Sequence, residues 1–164
     1  MILREAFPDF NFIKRHYPHY FHLRGRKNEP VFYEKPPQTN LIALRAGGVT
    51  VEKLLRQYSL VCEFLWQYIE PDDSAQSIYI IDLEGLRMGS FVDDTKSFVR
   101  QASALSAQHY PERAGYVFVI NVPAWFKFIW RAIRPIIDDS TLKKIYILRG
   151  EEEIRRNLLE RIPL

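Results

Sequence analysis

Three short apolar runs dominate the second half of the chain, and their spacing constrains the fold more than any other feature. Ser77 to Leu83 reads SIYIIDL, Tyr116 to Val122 reads YVFVINV, and Lys144 to Leu148 reads KIYIL. Each is too short for most helices, is rich in Ile, Val and Tyr, and lacks polar alternation, as expected of a strand buried on both faces. Helical periodicity fills the intervals. Phe98, Val99, Ala102 and Leu105 recur at helical spacing after the acidic pair Asp93 and Asp94, until Pro111. A second helix of roughly fourteen residues is predicted after Pro123. Strand, helix, strand, helix, strand specifies an α/β fold with a parallel sheet and right-handed crossovers.

Upstream, Val51, Leu54, Leu55, Tyr58, Val61, Cys62, Leu65 and Ile69 share one helical face, with Thr50 as N-cap and Pro71 as stop. The first fifty residues carry Pro8, Pro18, Pro30, Pro36 and Pro37, and are expected to form an irregular wrapping segment whose one strand is Val31 to Glu34. A terminal helix from Glu151 to Arg161 begins with three Glu and ends among Arg, matching the helix dipole. With 164 residues, 47% hydrophobic, one domain over 1–164 is the simplest partition.

The segment after Pro123 stands out. Trp125, Phe126, Phe128, Ile129, Trp130, Ala132, Ile133, Ile136 and Ile137 cover most of a helix, leaving Lys127, Arg131 and Arg134 as a narrow polar stripe. One reading is a core helix over the sheet. The other is that this arc exceeds what one sheet face can cover, and meets a partner, a ligand cavity or a bilayer. The 11 Phe, 9 Tyr and 3 Trp favour an apolar ligand site.

Chemical motifs are sparse. The chain has no G-x-S-x-G, P-loop, G-x-G-x-x-G, H-E-x-x-H or CxxC pattern. His16, His19 and His22 are spaced by three, but Pro18 interrupts them, and packing histidines are the simpler reading than a metal site. Asp82, Glu84, His109 and Glu112 allow a small hydrolase-like alternative, against which stand sheet-end hydrogen bonds and turns. A net charge of +3, with both signs mixed, argues against nucleic acid. Cys62 stands alone and reads as a buried hydrophobe in a reducing, cytosolic setting. No run has the length of a membrane span and no signal peptide is evident.

Several spaced motifs occur in order: Tyr17-Pro18-His19-Tyr20-Phe21-His22, Pro30-Val31-Phe32-Tyr33-Glu34, Asp82-Leu83-Glu84-Gly85, Tyr110-Pro111-Glu112-Arg113, Ile120-Asn121-Val122-Pro123 and Lys144-Ile145-Tyr146-Ile147-Leu148. From about Phe10 to Ile162 the chain resembles the CRAL-TRIO lipid-binding family, and within it the SEC-fourteen type of phosphatidylinositol/phosphatidylcholine transfer proteins. The resemblance implies a sheet floor under an apolar pocket, closed by a gate helix corresponding to Trp125 through Ile137. It implies inositol-type head-group contacts at Lys144, Thr141, Glu34 and Pro30, with Gln101 where the family has a helping Glu. Choline-type contacts would fall on Phe21, Tyr58, Ser77 and Tyr79, two of which depart from the usual residues. Gln101 cannot balance a lysine's charge, so altered head-group affinity is expected.

The expected function is binding of one phospholipid, phosphatidylinositol first and phosphatidylcholine second, and its transfer between membranes in support of phosphoinositide metabolism. The expected protein is a cytosolic monomer, transiently peripheral on Golgi or endosomal membranes, with no cofactor, metal or covalent chemistry. Against the family pattern the chain looks truncated, lacking the preceding helical module and the final segment. The competing reading is a scaffold module whose apolar helix docks a protein partner.

Overall fold

The computed structural model describes residues 2–90 and 93–163. The first third is more regular than the prolines suggest: helix α1 (Phe10–His16) leads into an antiparallel hairpin of β1 (His19–Arg24) and β2 (Pro30–Glu34), and α2 (Leu41–Ala46) follows. β1 escapes sequence reading because its histidines and aromatic residues alternate without an apolar and a polar side. Pro30 is tolerated as the first residue of β2, where a missing N–H costs little. The hairpin turn needs Gly25, since a Cβ there would lie 2.7 Å from Ile78 Cδ1 and 2.5 Å from Glu29 Oε2.

Helix α3 (Val51–Phe64) starts where expected, with Thr50 Oγ1 accepting from Lys53 N, and runs into a π-helical turn at Leu65–Ile69. β3 (Ser77–Asp82), α4 (Asp93–His109) and β4 (Ala114–Ile120) then alternate. The backbone of α4 begins at Asp93; of the acidic pair expected at its positive end, the Asp93 side chain lies outside the described ones, and Asp94 Oδ2 accepts from Arg45 Nη2 at 2.7 Å.

The fourteen-residue helix expected after Pro123 is broken in two. Helix α5 (Phe126–Ile133) has eight residues, a 3-10 turn spans Arg134–Ile136, and Ile137 is extended. Pro135 explains the break, because it has no N–H and its ring collides with the carbonyl four residues earlier. Helix α6 (Asp139–Leu142) restarts with Asp138 Oδ1 accepting from Thr141 N at 2.8 Å. β5 (Ile145–Ile147) and α7 (Glu151–Leu159) complete the chain.

The sheet order is β1-β2-β3-β4-β5, antiparallel at the first pair and parallel at the other three. Alternation along each strand sorts side chains onto two faces. On one face Val31, Ile78, Ile80, Phe118 and Ile120 pack against Ile154 and Leu158 of α7. Phe118, 2% exposed, also stacks against Tyr116 and Tyr146. Phe118→Ala is expected to cost about 3–5 kcal/mol in urea unfolding, since the two flanking rings and α7 cannot close the gap. A loss below about 1 kcal/mol would show that this face repacks.

The other face is differently covered. A register row crosses the whole sheet, from Phe21 through Phe32, Tyr79 and Val117 to Ile145. Above it stand α3, α4 and α5, and the space between is not filled.

Candidate functional site: a two-lobed apolar cavity

The unfilled space forms two lobes. The first, of about 510 Å³, has the Phe32–Tyr79–Val117–Ile145 row as floor and Tyr58 of α3 and Ala102 of α4 among its walls. The second, of about 300 Å³, is bounded by Leu83 and Val119 below and by Phe126, Ile129, Trp130 and Ile133 of α5. These α5 positions follow i, i+3, i+4, i+7, so one face of the helix serves as lid. Part of the apolar excess is thereby accounted for.

Not every residue of the expected gate does this. Trp125 packs against the core cluster that contains Leu83 and Val119, Ile137 lines both lobes, and Ile136 contributes its carbonyl, which accepts from Ser103 Oγ at 3.4 Å. Phe128 points outward, 60% exposed, with Lys127 Nζ 5.3 Å from its ring centre.

Polar groups gather at the opposite rim. Lys144 Nζ donates to Glu112 Oε2 at 2.7 Å, and Ser140 Oγ donates to Glu112 Oε1 at 2.7 Å. Thr141 and Arg113 complete the edge. The hydrogen bonds from Lys144 and Ser140 hold the Glu112 carboxyl below its ordinary value, so it stays ionised and fixes the Lys144 side chain in place. Arg113 is committed elsewhere, stacked 4.4 Å over Trp66 and donating to Asp72 O at 2.6 Å.

Two of the expected contacts lie outside the cavity lining. Gln101 is exposed on α4, donates to Ser97 Oγ at 3.0 Å and does not line the cavity. It lies one position before Ala102, about 100° around the helix from that wall residue. The carboxylate beside Lys144 is Glu112. Pro111 ends α4 and a left-handed backbone at Glu112, φ 59°, turns the chain toward the rim. A readable signal existed, since Tyr110-Pro111-Glu112-Arg113 stood out as a motif. Pro30 is the second: it is fully buried at the start of β2 and outside both linings.

Lys144, Thr141 and Glu34 do line the first lobe, as do Phe21, Tyr58, Ser77 and Tyr79. The aromatic row is tightly stacked, with ring centres 5.3 Å apart for Phe21 and Phe32 and 5.2 Å for Phe32 and Tyr79. Tyr58 and Ser106 share a hydrogen bond at 2.5 Å. Cys62 belongs to the same wall, and burial pushes its thiol up to about 12, which keeps it protonated and unreactive.

The groups considered for catalysis do not converge. Asp82 sits at the far end of β3, where Tyr33, Asn121 and Lys35 bind it; burial opposes its ionisation, but these bonds outweigh burial and hold the carboxyl low. Glu112 precedes the opposite end of the adjacent parallel strand, roughly 15–20 Å away by strand rise. His19 is a packing histidine, its Nδ1 2.8 Å from Tyr17 O and its Nε2 3.5 Å from Gln57 Nε2. Among the described residues no three His, Cys, Asp or Glu side chains cluster as metal ligands, and no helix is long and apolar enough to cross a membrane.

An open α/β sheet carrying a lidded apolar cavity with an ionic rim defines a class of hydrophobic-ligand folds. The model of the CRAL/TRIO domain matches residues 14–164, and the chain belongs to that family. It is 30% identical to the SEC14 cytosolic factor of Kluyveromyces lactis, over 96% of this chain and 55% of that protein. It is 26% identical to the phosphatidylinositol/phosphatidylcholine transfer protein SFH11 of Arabidopsis thaliana, over 87% of this chain and 39% of that one. The crystal structure of Sfh5 superposes with a TM-score of 0.71 at 19% identity, covering 88% of this chain and 50% of that one, and so shares the fold. The chain spans about half the length of the curated relatives it matches.

Proposed function

We propose that this chain is a single lipid-binding domain that takes one diacyl phospholipid, with phosphatidylinositol as the preferred ligand, and carries it between membranes. The observation that carries the reading is the cavity's polarity gradient, from the Lys144–Glu112–Ser140 rim to the mainly apolar space under α5. Acyl chains fit the apolar surfaces of both lobes, and the Lys144 ammonium is a charge-assisted donor for a phosphate. Similarity to the phosphatidylinositol/phosphatidylcholine transfer protein SFH11 supports the same ligand class. Binding and release need no bond making or breaking.

Loading occurs at a membrane surface that the cytosolic monomer visits transiently, Golgi and endosomal membranes being the candidates. Phe128, flanked by exposed Lys127 and Arg131, suits an interface of acyl chains and anionic head groups. Supply of inositol lipid to phosphoinositide metabolism follows from such transfer.

Lipid transfer between vesicles by wild type and Lys144→Ala tests this reading. Losing a charge-assisted bond to phosphate costs about 1.5–3 kcal/mol, so transfer of phosphatidylinositol should fall about tenfold or more, and that of phosphatidylcholine much less. The fold should survive, since a solvent-exposed pair with Glu112 contributes little to stability. Equal transfer of inositol lipid by both proteins would remove Lys144 from the site.

A further inference from the structure

The lid helix is tied down by a side chain at each end. At its far end Ser103 Oγ of α4 donates to Ile136 O at 3.4 Å. At its leading end Arg149, in the turn between β5 and α7, donates from Nη2 to the carbonyls of Pro123 and Ala124, each at 3.3 Å. The strand before the lid is anchored by Asn121, whose left-handed backbone, φ 56°, accompanies a bond from its Nδ2 to Asp82 Oδ1 at 2.8 Å. Between that anchor and the start of α5 at Phe126 lies a hinge of four residues, 122–125. Among the described residues, Arg149 is the one side chain that hydrogen-bonds to it.

The acceptors are poor ones for a guanidinium. Arg149 is exposed, holds neutral carbonyls and makes no ion pair among the described residues. At 3.3 Å these bonds are at the long end of the normal range. A phosphate is gripped by two parallel N–H groups and bound about twice as strongly as a neutral acceptor. Each face on which a guanidinium presents such a pair includes Nη2, the atom that holds the hinge. Phosphate therefore competes with the carbonyls, prefers the unlatched form and shifts the lid toward it.

The position of the hinge brings phosphates within reach. Ala124 precedes the outward-pointing Phe128 by four residues, about one helical turn or 6 Å, and exposed Lys127 lies between them. A bilayer that takes up the Phe128 ring sets its head groups near this end of the lid. We propose that Arg149 is a latch and a phosphate-recognition residue: away from membranes it pins the leading hinge of α5, and at an anionic bilayer it exchanges the two carbonyls for lipid phosphates, which frees the lid. This names the trigger for lid opening and rests on the membrane-transfer reading above.

Two measurements on wild type and Arg149→Ala test the latch, with thermal melts to confirm folding: hydrogen exchange of the α5 amides, and transfer of fluorescent phosphatidylinositol between vesicles. In buffer, loss of two weak hydrogen bonds should speed α5 exchange about tenfold and leave β3 and β4 at the wild-type rate. From vesicles of phosphatidylcholine alone, Arg149→Ala should transfer faster than wild type, and added phosphatidylserine should accelerate wild type more than the variant. An arginine that merely anchored the protein to membranes would give no gain on neutral vesicles. Unchanged α5 exchange in folded Arg149→Ala, or no gain on neutral vesicles, would overturn the latch. Inorganic phosphate at matched ionic strength should leave wild-type α5 exchange unchanged; a rise to the Arg149→Ala rate would make free phosphate the trigger and overturn the bilayer assignment. Transfer by neither protein from either vesicle would overturn the phospholipid reading, and the exchange of carbonyls for lipid phosphates with it.

Discussion

Ala102→Trp is expected to lower affinity for a diacyl phospholipid by about 100-fold while leaving the protein folded. Ala102 projects from α4 into the larger lobe, above the Phe32–Tyr79–Val117 row. An indole placed there occupies volume that an acyl chain would otherwise fill. Each methylene denied burial forfeits about 0.8 kcal/mol, so excluding three or four removes about 3 kcal/mol of binding, which is about two powers of ten. The same substitution in a packed core would cost about 1–3 kcal/mol of stability through strain. Here the ring enters an existing space of about 510 Å³, and the melting temperature should hold or rise. Native mass spectrometry of lipid occupancy, together with a melting curve, reads both quantities. Wild-type occupancy in a folded Ala102→Trp protein would show that the chains lie elsewhere.

Acidification from pH 6.5 to 4 is expected to remove about 3 kcal/mol of folding stability through His19 alone. His19 is 5% exposed and its imidazole is pushed down to about 4, first by burial and then by the charge of Lys14. The native state therefore binds this proton less tightly than the unfolded chain, whose histidine titrates near 6.5. Stability is full above the unfolded value and drains as pH falls toward the folded one. Glu34 acts with the opposite sign, because its raised value means stability lost as pH climbs above about 4.5, and it offsets part of the slope at the acid end. Urea unfolding at a series of pH values should show the His19 slope in wild type and its disappearance in His19→Phe, whatever that variant's stability at pH 7. A retained slope in His19→Phe would assign the effect to another group.

The parallel core was legible because strand and helix periods are local properties. Ile78 and Ile80, Val117 and Val119, and Ile145 and Ile147 stand in runs whose length and β-branching specify strands without knowledge of their neighbours. β1 was not legible, because an edge strand that pairs on one side needs no apolar alternation. The break in the lid helix was available at Pro135 and was obscured by the apolar residues on either side. Glu112 lies eleven positions after Gln101 along the chain, and only the turn at Pro111 puts it beside Lys144.

What the sequence determined by itself, then, is the order of strands and helices, the family pattern and the identity of the lid. Tertiary structure alone decided where the core is hollow. Val117 and Phe118 are adjacent, equally apolar and on opposite faces of one strand, yet one borders a void and the other is packed under α7. A cavity is contact left unmade between distant elements, and no residue type or spacing encodes it. The same geometry set Glu34 where the two lobes meet.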